Sequence, residues 1–221
     1  MSRGLGDVYK RQVPACNINM KLLKALSETN GINIDLLSDA IVFYSYACLN
    51  SDLYMKTFEW KLHTVAGEWA SIPITTNKQL FNSMVSIGKN MASIEKNDYI
   101  ISSDELHDLL GEQTSLTLGE CEVHRSKCED GKIMMFDDQN KTICIIEVPK
   151  DILNFEASGY NIIEQWLKYH SYAYYRKSCN DSDLNDLFNL VGRINKYHQL
   201  VTECDAVMKS ILESELLKPI R

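Results

Sequence analysis

The residues of this 221-residue chain best suited to chemistry lie between Cys121 and Lys177. Cys121, His124 and Cys128 have C-x2-H-x3-C spacing, and Cys144, on a later apolar run, could add a fourth soft ligand of the kind zinc prefers. The spacing lacks a CxxC or HxxxH knuckle, and on one continuous strand Cys121 and Cys128 point to opposite faces. The thiols are therefore expected to pack rather than to bind metal. A second set is basic and aromatic: Arg125, Ser126 and Lys127, then Lys168, His170, Tyr172, Tyr174, Tyr175, Arg176 and Lys177. Arginine can pair two donors with the O6 and N7 acceptors of guanine in the major groove, while lysine and tyrosine can hold phosphate. These ten residues are the candidates for nucleic-acid contact. The competing reading is that the tyrosines pack and the charges are merely solvated.

Catalytic patterns are missing. The sequence has no G-x-x-x-x-G-K-[ST] phosphate loop, no H-E-x-x-H and no G-x-S-x-G. None of the four prolines adjoins another, so the [DN]-P-P-[YF] motif of adenine methyltransferases is absent, as is a glycine-rich cofactor turn. Histidines 63, 107, 124, 170 and 198 are scattered, and no Cys-His or Ser-His pair is legible from spacing. Asp137-Asp138 reads as a turn. The chain is expected to be non-catalytic and to need no cofactor of its own.

Composition narrows the class. Residues 1–12, MSRGLGDVYKRQ, resemble the translation of a sequencing-library transposon adapter and are set aside as an expression tag would be. Coding sequence is then expected to start near Val13, and the natural protein to extend upstream of it. Without Arg3, Lys10, Arg11 and Asp7 the net charge deepens from −7 to −9. Free-standing DNA-binding domains are usually basic, so phosphate contacts would come from a local basic face or from a larger parent. Seven dispersed cysteines, no signal peptide and no membrane-length apolar run point to a reducing cytoplasm.

These side chains must be positioned by regular elements. Residues 142–148 form a short β-branched apolar run, stopped by Pro149, and read as a buried strand. Glu120–Lys127 and Lys132–Phe136 are expected to pair with it through turns at Asp130-Gly131 and 138–140. A short helix over Lys150–Leu153, a Ser158-Gly159 turn and a helix carrying Ile162, Ile163, Trp166 and Leu167 on one face should follow. The stretch 169–178 is expected to be an aromatic, basic loop.

The first half reads as helical. Helices are expected over 20–29, capped by Asn17 or Asn19 and ended by Asn30-Gly31, and over 36–49, capped by Asp35. The second of these is apolar nearly all round and so suits the centre of a bundle. A third should start at Ser51 or Asp52 and carry Leu53, Tyr54, Phe58, Trp60 and Leu62. After an extended Ile72-Pro73-Ile74, Thr76 should cap a helix over 78–95. A short helix is expected at 103–110, and a long last one over 184–212, capped by Ser182 or Asp183. The fold class is α+β: a helical half, 13–96, packed against a small antiparallel sheet with flanking helices, 97–221.

Two motif series carry a family resemblance. In the second half they are Val148, Pro149, Asn154, Phe155, Gly159, Tyr160, Trp166, Leu167 and Lys168. In the first half they are Tyr44, Tyr46, Ala47, Leu49, Ser51 and Tyr54, then Ile72-Pro73, then Leu80, Phe81, Gly88 and Lys89. Their order and spacing resemble the C-terminal specificity domain of type ISP restriction-modification enzymes. The resemblance covers most of the chain past Val13. It departs at Ser71, where relatives carry a basic residue before Ile-Pro, and at Arg176-Lys177, which stand several residues late for the usual R-K-G-R after W-L-K.

The resemblance implies a target-recognition domain that reads double-stranded DNA. Upstream adenine methyltransferase, translocase and nuclease domains of the same chain would hold S-adenosylmethionine, ATP and Mg2+. The alternative is a helical protein-interaction or coupling module without DNA contact, which an exposed apolar stripe on the first or last helix would favour.

Overall fold

The computed structural model describes residues 18–63, 71–176 and 178–218, without the side chains of 60–63 and 175. The adapter-like segment, the side chains of Trp60, Leu62 and Tyr175, and all of Lys177 lie outside the described residues. The architecture is α+β, helices with a three-stranded antiparallel sheet and a two-stranded one. It divides into two compact units. One holds the described residues up to Ala92 together with those from Val201, and the other holds Ser93–Leu200. Among the described residues no single helix is long and apolar enough to cross a membrane.

In the first unit, α1 (Met20–Asn30) is capped by Asn19, whose side chain accepts from Lys21 N, and ends at left-handed Gly31. Helix α2 (Ile34–Leu49) is capped by Asn33, not by Asp35. It buries one stripe, Leu37, Ile41, Tyr44, Ala47 and Cys48, while Leu36 and Val42 are exposed. The expectation of a helix covered all round is therefore corrected: its unit packs against one face only. Ser51 caps α3 (Asp52–His63) by accepting from Tyr54 N. Asn77 rather than Thr76 caps α4 (Lys78–Glu95), accepting from Gln79 N and Leu80 N.

Tyr44, Ser51, Phe81 and Gly88 among the motif residues of this half prove to be packing residues. The Tyr44 hydroxyl donates to the Pro73 carbonyl at 2.7 Å, and its ring stacks on Phe81 with centroids 4.9 Å apart. Gly88 lets α4 cross α2 closely: a Cβ there would overlap the Phe43 carbonyl oxygen and lie 3.3 Å from the Ala47 Cβ. Asp205 Oδ1 accepts from Ser51 Oγ at 2.7 Å and from Leu53 N at 3.1 Å.

In the second unit, α5 (Ser103–Leu110) begins with a complete capping box between Ser102 and Glu105 and runs into a 3₁₀ turn, Gly111–Ser115. The sheet order is β1 (Arg125–Glu129), β2 (Lys132–Phe136), β3 (Thr142–Glu147), so β1 is an edge. Asp130 and Gly131 both have positive φ, as a two-residue primed hairpin turn requires. The β2–β3 register shifts between Met135 and Phe136, a bulge that leaves Met135 opposite Cys144 and Phe136 opposite Thr142.

The first strand starts at Arg125, not at Glu120. Gly119 is left-handed, and the Cys121 amide turns back to the Leu118 carbonyl. The His124 amide still donates to the Phe136 carbonyl at 2.8 Å, but the Val123 amide and the carbonyls of 123 and 124 bond elsewhere, as described below.

After β3 come α6 (Lys150–Leu153), a minute hairpin of β4 (Glu156–Ala157) and β5 (Tyr160–Asn161) about Ser158-Gly159, and α7 (Ile162–Tyr169). The expected loop contains one helical turn, α8 (Tyr172–Tyr175). Helix α9 (Asp181–Leu212) starts earlier than expected because Asn180, upstream of Ser182 and Asp183, accepts from both of their amides. Buried Ile133, Met135, Ile146, Ile152, Ile163, Leu167, Leu187, Phe188 and Val191 join sheet, α6, α7 and α9 into one core.

Candidate functional site

The site begins with backbone pairing that the sequence does not advertise. Ala173 N donates to the His124 carbonyl at 3.2 Å, Tyr172 N to the Val123 carbonyl at 3.5 Å, and Val123 N to Ser178 Oγ at 2.8 Å. The segment ahead of β1 is thus bonded to the aromatic segment. This brings two stretches far apart in sequence to one place. Arg125, Ser126 and Lys127 share a groove of about 400 Å3 with Lys168 and Tyr174, completed by Cys128, Glu164, Leu167, Ser171 and Ala173.

The three cations of this groove differ in their surroundings. Arg125 is exposed, and its guanidinium lies over the ring of its cross-strand partner Phe136, 5.5 Å from the centroid. Among the described residues no carboxylate stands within ion-pair distance of Arg125. Lys127 Nζ is 2.7 Å from Glu129 Oε2, an exposed pair worth little in stability but one that cancels charge locally. Lys168 Nζ sits 4.5 Å from the Tyr174 ring centroid, within cation–π range, and Tyr174 in turn meets Tyr169 edge-on at 6.0 Å. Burial, and after it Glu164, pushes the Cys128 thiol up to about 11, so it lines the groove as a neutral group.

The remaining candidates fall elsewhere. Tyr172 faces His124, ring centroids 5.0 Å apart, in a neighbouring groove of about 650 Å3 shared with Cys121, Glu122, Asp137, Asp138 and Lys141. There Asp137 acts as a turn residue, accepting from Gln139 N and Lys141 N. His170 is stacked on Trp166. Arg176 is exposed and left-handed, φ 54°, and closes α8 by donating its amide to the Tyr172 carbonyl. Phe136, Glu129 and Glu164 were not singled out by their sequence; Phe136 reads there only as a strand apolar.

The C-x2-H-x3-C residues do not gather. Cys121 is exposed, Cys128 half-buried and Cys144 buried. Among the described residues no group of three or more His, Cys, Asp or Glu side chains is placed to hold a metal ion. Nor does the first or last helix show the stripe that would favour an interaction module: among the described residues the large exposed apolars include Met20 on α1, with Leu36, Val42 and Leu49 on α2 and none on α9.

Comparison with known proteins gives one sequence family. No curated protein matches the chain in a sequence search. Among solved structures, a nuclease-deletion mutant of the type ISP restriction-modification enzyme LlaGI, in complex with a DNA substrate mimic, aligns with a TM-score of 0.47 at 18% identity. The alignment covers 75% of this chain but only 13% of that one. The family model of the type ISP C-terminal specificity domain matches residues 7–203. With that match over most of its length, the chain belongs to the type ISP C-terminal specificity domain family.

Proposed function

We propose that the chain recognises a specific double-stranded DNA site on behalf of a single-chain restriction-modification enzyme. Its duplex-facing surface is the groove between β1 and the α7–α8 segment. The observation that carries this reading is the convergence of Arg125 and Lys127 with Lys168 on one groove. Family membership supports the role, and the convergence supports the place. An overall charge of −7 makes such a local basic face the natural site for phosphate, because the rest of the surface repels it. Methyltransferase, translocase and nuclease parts elsewhere in the same polypeptide would hold S-adenosylmethionine, ATP and Mg2+. This domain would contribute orientation and readout.

The test is a titration of duplex at fixed low salt with Lys127→Ala and Lys168→Ala, both on this groove, combined in the full-length protein. Affinity should fall about tenfold, and the slope of log affinity against log salt should shrink by about one for each phosphate contact removed. Unchanged affinity and slope would remove this groove from the DNA surface.

A further inference from the structure

Within the groove one side chain is set apart from the other two cations. Lys127 is engaged by Glu129, and Lys168 is held against Tyr174. Arg125 is exposed on an edge strand, where a β-ribbon can enter a groove of the duplex, and it has no carboxylate within ion-pair distance among the described residues. Its guanidinium lies over the ring of Phe136, the residue opposite it in the β1–β2 ladder. The β1–β2 register is unbroken from the Arg125 and Phe136 pair to the Glu129 and Lys132 pair, and directly opposed residues of an antiparallel pair share one face, which sets the ring beneath the guanidinium. A ring face supports a guanidinium without using any of its N–H donors, so the fork stays open for a planar pair of acceptors.

Building on the DNA reading proposed above, we infer that Arg125 is the base-reading residue of this groove, that its target is the O6/N7 edge of a guanine, and that Phe136 is its positioning residue. Lys127 and Lys168 then serve phosphate. The recognised site contains a G·C pair opposite β1. Guanine is the fitting base because it alone offers two acceptors side by side in the major groove. Lysine cannot replace Arg125 here, because a point ammonium makes no two-pronged contact.

The experiment is selection of bound duplexes from a randomised pool by the full-length protein, followed by competition titrations. Wild type, Arg125→Lys, Arg125→Ala, Phe136→Tyr and Phe136→Leu are compared, with thermal melting to show that each is folded. Wild type should select an invariant guanine. Arg125→Lys and Arg125→Ala should lose discrimination at that position by on the order of tenfold to a hundredfold, while affinity for unrelated duplex stays nearly constant. Phe136→Leu should follow Arg125→Ala although the guanidinium is still present, and Phe136→Tyr should keep the preference.

A variant at Arg125 that weakens specific and unrelated duplex equally, with a smaller salt slope, makes Arg125 a phosphate contact. That outcome overturns the inference and leaves the DNA reading intact. Discrimination that survives in Arg125→Ala also overturns it. Absence of duplex selection by the wild type overturns both together.

Discussion

The rings of Trp166 and His170 stack with centroids 3.8 Å apart and planes 10° from parallel, and His170 Nδ1 lies 2.8 Å from the Trp166 carbonyl oxygen. A carbonyl only accepts, so Nδ1 carries a proton and donates this hydrogen bond. The histidine therefore acts first as a clamp on the end of α7. The expected nitrogen-15 pattern is that of the Nδ1–H tautomer, and a spectrum of the Nε2–H form would contradict the arrangement. His170→Ala should cost about 1 kcal/mol of stability, the worth of an aromatic pair with its hydrogen bond, read in a denaturant titration.

Gly88 gives a sharper test of the helical unit. A methyl group there would overlap the Phe43 carbonyl, which belongs to helix backbone and cannot rotate away. Gly88→Ala would ordinarily favour a helix by about 1 kcal/mol through propensity. Here overpacking wins, and a net loss of about 2 kcal/mol or more is expected, seen as a lower urea midpoint with an unchanged slope. A stabilised variant would mean that α2 and α4 do not cross as closely as described.

What was legible in the sequence were the features with local chemistry. Asp130-Gly131 and Ser158-Gly159 announce two-residue turns because only glycine-containing pairs adopt two successive positive φ values easily, and both pairs do so. The apolar runs gave β2 and β3 almost to the residue. Caps were less legible. Each helix start offers several polar residues, and Asn33, Asn77 and Asn180 won over nearby Asp35, Thr76, Ser182 and Asp183 through backbone geometry that spacing does not encode. β1 starts later than expected because the Val123 amide and the Val123 and His124 carbonyls bond to residues 172–178, a partner distant in sequence, while the His124 amide still reaches β2, at the Phe136 carbonyl. That same pairing assembles the groove, so the site's composition was readable and its convergence was not. Phe136 carries no signal beyond being apolar, since the register that sets it opposite Arg125 is a property of the ladder.

The start of α5 gives the second unit a pH dependence. The Ser102 amide donates to Glu105 Oε2 at 3.0 Å, and Lys196 Nζ stands 3.3 Å from Oε1. The Ser102 backbone hydrogen bond is the main reason the Glu105 carboxyl titrates below its ordinary range, with Lys196 adding to it and burial opposing. A carboxyl depressed in the folded state contributes stability above its unfolded pKa of about 4.3, and loses it as the pH falls through the lower folded value. Glu105 and Lys196 side chains are 39% and 28% exposed, so screening limits the effect to less than about 1 kcal/mol. Glu105→Gln should therefore melt earlier than wild type at pH 7, and the two curves should merge in acid. A difference that persists unchanged below pH 4 would assign the effect to the capping geometry alone.

The cysteines allow the zinc question to be settled from the thiol side. Cys121 is exposed, whereas Cys48, Cys144, Cys179 and Cys204 are buried. Burial raises the thiol of Cys204 to about 12 and that of Cys48 further still, so neither offers thiolate at neutral pH. Cys144 is likewise raised by burial. A metal bound by Cys121, His124, Cys128 and Cys144 would reverse this pattern: it would hold three thiolates, protect Cys121 from alkylation and tie stability to the metal. The structure leads to the opposite expectation. In native protein at pH 8, Cys121 should alkylate first among the six described cysteines, Cys128 more slowly, and the four buried thiols only on unfolding. EDTA should leave both the order and the melting temperature unchanged. Protection of Cys121 that EDTA abolishes would show that the segment ahead of β1 closes around a metal in solution.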